Sequence, residues 1–343
     1  MQIGILGLGR MGSQIARRLH TKGFNVIAWN RSAGPREEIE NFFRHINTSS
    51  PLSSPPISGE RNERRGGIDM TVQTISELIA ALSKPRILWL MLPSGELVDD
   101  ILSSLSLSKD DIVIDGGNSF YKDSRRRSDA LAEKGVHFFD CGTSGGVWGE
   151  KNGFSLMVGG PKEMWPRVEP VFKALAALSD SHPRPLSISP SPGGEKKGNY
   201  GLVGPAGAGH FVKMVHNGIE YGMMEAIGEG FAVLHASEFK FDFAQIAGIW
   251  SRGAVVSSWL MELAKNIFET ENLDHVAGTI PHTGEGQWTI EAAKQLGVDV
   301  RVIEDAFKIR QESADPKNQE KFSNKIVALL RKQFGGHEVK YKA

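Results

Sequence analysis

The 343-residue chain lacks several features that would assign it to a class of protein at once. It has one cysteine, Cys141, which excludes an intrachain disulfide framework and a cysteine-based metal site. Its 40 Lys and Arg balance 40 Asp and Glu, and zero net charge argues against nucleic acid or a membrane surface as a partner. No apolar run approaches the roughly 20 residues of a membrane span. The first residues lack a basic segment with a cleavage site, and no repeat of solenoid length is visible. We therefore expect a cytoplasmic protein.

The chain is long enough for two domains, and its composition changes twice along its length. Residues 47–67 and 179–205 are rich in Ser, Pro and Gly without apolar periodicity, so we interpret the first as an insertion and the second as a linker. Strand and helix patterns alternate over residues 1–178, which predicts an α/β domain with a Rossmann-type, doubly wound sheet. Nearly every pattern over residues 206–343 is helical, which predicts an all-α domain.

A glycine-rich turn follows the first predicted strand, Gln2–Leu6. It has the G-x-G-x-x-G pattern and consists of Gly7, Leu8, Gly9, Arg10, Met11 and Gly12. A predicted helix and a second strand, Phe24–Trp29, follow, which is the context that this motif requires in dinucleotide-binding proteins. The phosphates of the dinucleotide would lie at the helix N-terminus, where free N–H groups point at them.

The end of the second strand bears on the choice of dinucleotide. An acidic residue there would bind the ribose 2′-hydroxyl and favour NAD, but the chain has Asn30, Arg31 and Ser32. Arg31 can bind a 2′-phosphate, with Asn30 and Ser32 as hydrogen-bond donors, which favours NADP. Alternatively, Arg31 is a surface arginine that stacks on the adenine of either cofactor, and NAD then remains open.

Two further glycine-rich turns follow predicted strands, at the position where an open α/β sheet binds its ligands. In the first, Asn118 can bind a substrate hydroxyl or the nicotinamide amide, or it can simply close an Asx turn. In the second, Ser144 and the N–H groups of Gly145 and Gly146 can hold a carboxylate. The alternative for this second segment is a tight glycine turn.

The segment Gly209–Tyr221 predicts a helix with polar groups on one face. Helical spacing of i, i+3, i+4 and i+7 places on that face Lys213, His216, Asn217 and Glu220. Another face is apolar and is expected in the core: Val212, Val215, Ile219, Met223 and Ala226. Lys213 and Glu220 either form a buried ion pair or flank a small substrate. Two helical turns separate them by roughly 10.5 Å, which favours the substrate.

These motifs together resemble decarboxylating 6-phosphogluconate dehydrogenase in its short bacterial form. The resemblance rests on the three glycine-rich turns, on Gly209–Tyr221, and on the tail Phe334-Gly335-Gly336-His337. Dehydrogenases of the 3-hydroxyisobutyrate type share the glycine motifs and the lysine but not the His-Asn-Gly-Ile-Glu-Tyr continuation. The resemblance implies oxidation and decarboxylation of 6-phospho-D-gluconate to D-ribulose 5-phosphate and CO2, with reduction of NADP or NAD. This reaction belongs to the pentose phosphate pathway and to gluconate use.

The resemblance also implies roles for particular residues and makes the helical domain the one for substrate binding and oligomerisation. Lys213 corresponds to the general base and acid, and Glu220 to the acid that protonates the enediol. The family's contacts to substrate hydroxyls and phosphate correspond to His216, Asn217, Tyr221, Arg310, Arg331 and His337. Arg331 and His337 are in the tail, which the family donates to a neighbouring subunit, so a homodimer or homotetramer is expected. No metal is implied.

One departure from the family concerns the phosphate site. Thr283 stands where longer members have a phosphate-binding lysine, so the site would depend more on Arg310 and Arg331. Two other functions stay open from the sequence. One is a 3-hydroxy-acid dehydrogenase for an unphosphorylated substrate, and the other is a nicotinamide-binding sensor without turnover.

Overall fold

The computed structural model describes residues 1–49, 69–177, 198–282 and 284–342. Most of the predicted insertion 47–67, most of the predicted linker 179–205, and Thr283 lie outside the described residues. The chain divides into two compact units, Met1–Lys213 and Met214–Ala343.

A single sheet organises the first unit. In the described part of the chain its eight strands are β1 Gln2–Leu6, β2 Asn25–Trp29, β3 Met70–Val72, β4 Ile87–Leu90, β5 Ile112–Asp115, β6 His137–Ser144, β7 Ser155–Gly159 and β8 Tyr200–Gly204. Their order across the sheet is β3-β2-β1-β4-β5-β6-β7-β8. All neighbouring pairs are parallel except β6 and β7. The chain runs outward from β1 in both directions, so the switch point between β1 and β4 forms the crevice in which such sheets bind ligands.

Helices cover both faces of this sheet. They are α1 Arg10–Thr21, α2 Ala33–Ser49, α3 Ile75–Ala81, α4 Glu96–Ser104, α5 Tyr121–Ala132, α6 Gly149–Asn152 and α7 Trp165–Leu175. Alternate residues of each strand enter two separate apolar cores: Trp89 of β4 lies in one, whereas Leu88 and Leu90 lie in the other. Strands buried on both faces have continuous apolar sequences, and this explains a run such as Ile-Leu-Trp-Leu in β4. The predicted doubly wound α/β fold is confirmed.

The second unit is helical. Helix α8, Ala208–Ala236, begins in the first unit and lies mostly in the second. The other described helices of this unit are α9 Phe243–Trp250, α10 Trp259–Thr270, α11 Glu285–Leu296, α12 Arg301–Glu312 and α13 Phe322–Gly335. Two short strands, β9 Val276–Ala277 and β10 Lys340–Tyr341, pair antiparallel beside them. One core gathers side chains such as Phe231, Ile267 and Leu329, and a smaller one forms around Tyr221 and Phe307. This confirms the predicted helical C-terminal domain. No helix in the described ranges has both the length and the apolar character to cross a membrane.

Three local predictions were wrong. Residues 200–204, within the predicted linker, form strand β8. The apolar periodicity of the sequence predicts a helix that begins at Val72, but α3 begins at Ile75, because Thr74 and Glu77 form a capping box there. The glycine-rich sequence of residues 282–289 predicts a loop, but the chain is helical from Glu285 onward, after Gly284 in a left-handed conformation.

The apolar face of α8 that was expected in the core is largely exposed. The exposed fraction is 38% for Val212, 55% for Ile219 and 41% for Met223. The buried face of α8 instead carries Met214, Tyr221, Met224 and Phe231, which are at most 4% exposed. In the second unit, Gly218 packs against Thr289 of α11 and Gly228 against Ser323 of α13. These neighbours lie on one side of the helix and leave Ile219 and Met223 uncovered.

Candidate active site

The first glycine-rich turn joins β1 to α1 at the switch point of the sheet. Gly7 has φ +99° and lies so close to Met91 after β4 that a Cβ would overlap the Met91 carbonyl. Gly12 approaches the Gly7 carbonyl equally closely, which brings α1 down onto the turn. Beside Gly9, by contrast, no atom of the described residues lies within 4 Å of an added Cβ. Gly7 and Gly12 are therefore closely packed, whereas the space beside Gly9 is open. A pyrophosphate can approach the backbone at Gly9.

The N-terminus of α1 suits the same ligand. No side chain caps it, and its first turn has no acidic residue. The N–H groups that point out of its first turn and the positive end of the helix dipole therefore suit an anion. The residues present fit a dinucleotide.

Asn30 has a role that sequence analysis did not foresee. Its Oδ1 accepts a hydrogen bond from the Leu8 N–H at 2.9 Å, and its Nδ2 donates to the Ser32 carbonyl at 3.2 Å. The amide predicted to bind a 2′-phosphate thus fixes the glycine turn to the end of β2. Arg31 and Ser32 are exposed beside it, and Arg36 donates to the Asn30 carbonyl at 2.8 Å.

The turn after β5 is closed by a carboxylate that sequence analysis missed. Asp115, which is fully buried, accepts from the Gly117 N–H at 3.1 Å and from the Ser119 hydroxyl at 2.7 Å. The Asx turn considered for Asn118 is therefore made by Asp115, and Asn118 itself is exposed. Arg127 lies against Asp115 at 3.5 Å and donates to the Gly95 carbonyl at 2.9 Å, so it holds the turns after β4 and β5 together.

The Ser144 segment differs slightly from its prediction. Ser144 is the last residue of β6 and pairs with Ser155 of β7. The turn then follows with φ +130° at Gly145 and +53° at Gly146, conformations that favour glycine. The tight turn is therefore real, and its use as a carboxylate site stays a prediction.

The first turns of α8 lie directly on β6 and β7. A Cβ on Gly142 would be 2.9 Å from the Gly209 carbonyl and 3.1 Å from Lys213 Cγ, and nearer still to Lys213 Cβ. A Cβ on Gly209 would be 2.5 Å from the Met157 carbonyl. Because both positions are glycine, the helix can approach the sheet closely, and this approach positions Lys213, which is partly buried.

Asp140 fixes the start of that helix, and sequence analysis missed it too. Its fully buried carboxylate accepts hydrogen bonds from the N–H groups of Gly207 at 2.6 Å and His210 at 2.7 Å. Burial raises the pKa of the Asp140 carboxyl, and the nearby His210 opposes this. The His210 ring lies 2.7 Å from the Ser124 hydroxyl of α5. Asp140 and His210 thus set the axial position of α8, one turn before Lys213.

The polar face of α8 continues in the second unit. His216 Nδ1 lies 3.0 Å from Asn217 Oδ1 and 3.8 Å from Glu220 Oε2. The imidazole of His216, one turn away, is therefore a neighbour of the Glu220 carboxylate. Asn217 is buried, whereas the side chains of His216 and Glu220 are 40% and 22% exposed.

The second unit also brings three predicted phosphate contacts together. The Arg310 guanidinium carbon lies 3.2 Å from the centre of the Tyr221 ring, a cation–π contact. Arg310 and Arg331 are only 2% and 4% exposed. Burial, and then the nearby charge of Arg310, lower the pKa of Arg331 to about 10. His337 is placed after α13, against Gly335 and 6.4 Å from the Phe334 ring.

Several donors of this cluster have no acceptor. Arg310 Nε and Nη2 and the Tyr221 hydroxyl are buried without a hydrogen-bond partner among the described residues. A buried unsatisfied donor costs about 1–3 kcal/mol, and more when it is charged. The unused N–H groups of Arg310, with the buried charge of Arg331 nearby, suit an anion with several oxygens, such as a phosphate.

Glu225 completes this cluster and was not predicted. Its carboxylate lies 3.6 Å from Arg310 Nε. Burial raises the pKa of Glu225 to about 7, and Arg310 opposes this. No group of three or more His, Cys, Asp or Glu side chains in the described residues could hold a metal.

A dinucleotide-binding sheet with this glycine turn, followed by a helical domain, is the architecture of a dehydrogenase of the Rossmann class. The chain belongs to the 6-phosphogluconate dehydrogenase family. Residues 2–183 match the NAD binding domain of 6-phosphogluconate dehydrogenase, and residues 209–341 match its C-terminal domain.

Similarity to individual proteins supports the same family assignment. The chain is 35% identical to the NAD(+)-dependent, decarboxylating 6-phosphogluconate dehydrogenase of Haloferax volcanii, over 100% of this chain and 99% of that protein. It is 34% identical to the NADP(+)-dependent enzyme of Bacillus subtilis, over 91% of this chain and 61% of the longer relative. The solved 6-phosphogluconate dehydrogenase of Plasmodium falciparum superposes with a TM-score of 0.76 and 28% identity, covering 92% of this chain and 63% of that one.

Proposed function

We propose that this protein oxidises and decarboxylates 6-phospho-D-gluconate to D-ribulose 5-phosphate and CO2, with NADP as the preferred cofactor. The observation that carries the proposal is the buried group of Tyr221, Arg310 and Arg331, in which the unused donors of Tyr221 and Arg310 suit an anion. Tyr221 follows Glu220 directly on α8, so the helix with the candidate catalytic face also contributes to the phosphate site. The activities named for the Haloferax and Bacillus relatives support the same substrate.

Lys213 is the proposed base for the first step. A nicotinamide cofactor held at the Gly7–Gly12 turn would supply the oxidant that takes the hydride from C3. Neutral Lys213 removes the proton of the C3 hydroxyl, which leaves a β-keto acid. Protonated Lys213 then donates to the C3 oxygen as CO2 departs, and so stabilises the negative charge that develops there.

Glu220 is the proposed acid for the last step. It gives a proton to the carbon that has lost the carboxylate, while Lys213 takes the proton of the enediol hydroxyl and the ketone forms. A rise of roughly 10.5 Å along the helix separates the two groups, enough to act on different parts of a sugar acid. Solvent then returns both groups to their starting protonation states.

The remaining candidate residues bind and orient the substrate in this proposal. His216 and Asn217 contact its hydroxyls, and the backbone of Ser144, Gly145 and Gly146 receives its carboxylate. Asn118 binds a substrate hydroxyl or the nicotinamide amide. The phosphate is bound by Tyr221, Arg310, Arg331 and His337.

The preference for NADP rests on the exposed Arg31 and Ser32 at the end of β2 and on the absence of an acidic residue in Trp29–Ser32. Because named relatives use NAD in one case and NADP in another, this preference is a property to test in this chain.

A homodimer or homotetramer is also proposed. The exposed side chains of Ile219 and Met223 on α8 lie next to Val302 of α12, which is 72% exposed and packs on Gly222. A second copy covering this apolar patch would remove it from water. The tail pairs with β9 of its own chain through β10, so its reach into a neighbouring subunit, and with it His337, stays a prediction. A cytoplasmic location and a place in the pentose phosphate pathway follow from the proposed activity.

Initial rates of reduced-cofactor formation from 6-phosphogluconate test the proposal, with NADP and NAD in parallel and with CO2 release measured. D-Gluconate, which lacks only the phosphate, is the matched control substrate. We expect equal yields of reduced cofactor and CO2 from 6-phosphogluconate, a preference for NADP, and a much larger KM for gluconate. Turnover of gluconate with an equal KM would contradict the phosphate site, and reduced cofactor without CO2 would contradict the decarboxylation.

A further inference from the structure

Glu225 is a buried carboxylate directly behind the proposed phosphate site. It lies on α8 one turn after Tyr221 and is 4% exposed. Its Oε1 lies 3.6 Å from Arg310 Nε, which is beyond good hydrogen-bond distance. Neither carboxylate oxygen has a hydrogen-bond partner among the described residues. The pair is therefore an ion pair in which both members keep unused hydrogen-bonding capacity.

Charged and titratable groups surround Glu225 and Arg310 from every helix packed there. Helix α8 contributes Glu220, Tyr221 and the exposed Glu229, α13 contributes Arg331, and α11 contributes the buried Glu285. Of these, Arg310 and Glu229 act most directly on Glu225. Any anion that binds Arg310 is then brought towards the carboxylate that already faces this guanidinium.

We infer that Glu225 is a positioning residue that holds Arg310 in the empty site, and that phosphate binding at Arg310 is coupled to the uptake of a proton by the Glu225 carboxyl. The inference rests on the proposed function, because it takes Arg310 as the phosphate contact.

The direction of the coupling follows from charge. In the free protein the ionised carboxylate compensates the buried guanidinium, which would otherwise stand unpaired. A phosphate dianion takes over that compensation, and the carboxylate becomes a second anion competing for one cation. The anion therefore raises the pKa of Glu225, which burial has already raised to about 7. Near neutral pH the carboxyl can thus accept a proton as the phosphate arrives.

The coupling gives the affinity a particular pH dependence. Well below pH 7 the carboxyl is already protonated, so phosphate binding requires no proton uptake by Glu225. Above pH 7 a proton must be taken up, so Kd for 6-phosphogluconate rises by up to about tenfold per pH unit until the raised pKa is reached. The substrate phosphate has its own second pKa near 6, so it is a dianion throughout this range and does not cause the effect.

Proton uptake on binding is measured directly by titration calorimetry at pH 8 in buffers of different ionisation enthalpy. The ligand is 6-phosphogluconate without nicotinamide cofactor, so that no turnover occurs. Wild type is compared with Glu225→Gln, which keeps the shape and removes the charge, and with Glu229→Gln, which removes a neighbouring exposed charge. We expect Glu225→Gln to take up at least about half a proton less than wild type when the ligand binds. Glu229→Gln should take up the same number of protons as wild type. In steady state, Glu225→Gln should flatten the rise of KM above pH 7.

Equal proton uptake in wild type and Glu225→Gln overturns the inference. A KM of Glu225→Gln that is raised equally at every pH also overturns it, because it indicates a structural role for Glu225. An Arg310→Gln variant separates this from the proposed function: unchanged affinity for 6-phosphogluconate in that variant overturns the phosphate site itself. If Glu225→Gln does not fold, the test is proton uptake by the wild-type protein alone, with inorganic phosphate as the ligand. Proton uptake at pH 8 but not at pH 6 supports the inference, and no uptake at either pH overturns it.

Discussion

Replacing Gly142 by alanine adds one methyl group between β6 and the start of α8. The added Cβ would lie 2.9 Å from the Gly209 carbonyl and closer to Lys213 Cβ, whereas ordinary contact begins at 3.4 Å. Gly142 is not among the glycines with positive φ, so alanine is compatible with its backbone, and the whole effect comes from the contact. The helix must move by about 1 Å to make room, because β6 is held between two strands.

The size of the effect follows from that displacement. Inserting a methyl group into a packed contact costs about 1–3 kcal/mol of folding stability. A displacement of about 1 Å at a catalytic group lowers the rate by roughly a hundredfold. We therefore expect kcat of Gly142→Ala to fall by about 10²-fold, while KM for NADP stays near wild type because the glycine turn at Gly7–Gly12 is untouched.

Urea unfolding and initial-rate measurements at saturating substrate test this expectation. The matched control is Gly201→Ala in β8 of the same sheet, where no described atom lies within 4 Å of the added Cβ. This control should keep both wild-type stability and wild-type kcat. A Gly142→Ala enzyme with wild-type kcat would refute the reasoning that this contact sets the position of Lys213.

Four further outcomes are expected. Lys213→Ala should abolish hydride transfer and leave NADP affinity nearly unchanged in a fluorescence titration, whereas equal loss of both would mark a structural lysine. Glu220→Gln should slow turnover by roughly 10²–10⁴, the usual effect of removing a positioned acid, and a near-normal rate would remove it from the mechanism. Arg31→Glu should raise KM for NADP far more than KM for NAD; equal changes would contradict phosphate recognition. Glu225 has a folded-state pKa of about 7, above the ordinary value of 4.5, so its stabilising contribution is complete below pH 4.5 and is lost as pH rises through 7. Urea unfolding at pH 5.5 and 8 should show wild type losing about 2 kcal/mol more than Glu225→Gln, and equal losses would contradict the raised pKa.

The sequence alone was enough to predict the elements that are determined by residues close to one another in the chain. The turn at Gly7–Gly12 needs glycine for reasons of backbone geometry, and the apolar strands on either side of it show their burial directly. The polar face of α8 follows from helical spacing alone, so the order of the residues is enough to place Lys213 and Glu220 on one face. The capping box of Thr74 and Glu77 is equally local, because its pattern is present in four consecutive residues of the sequence.

Residues whose partners are distant in the chain could not be found in this way. Asp140 acts on Gly207 and His210, and Glu225 acts on Arg310, but neither pairing leaves a local pattern. The apolar residues of α8 show the same limit. Both its buried and its exposed faces are apolar, and only the packing of α11 and α13 decides that the face with Ile219 and Met223 is left uncovered.

Helix α8 is one unbroken helix of 29 residues, and this limits how the segment can change during evolution. Seven residues make nearly two turns at 3.6 residues per turn, so Lys213 and Glu220 stay in phase only at this spacing. Inserting or deleting a single residue between them would rotate the glutamate by about 100° around the axis, whereas many substitutions would leave the phase intact. Homologues that keep the activity should therefore differ between these two positions by substitution alone, and length variation should be confined to loops elsewhere in the chain.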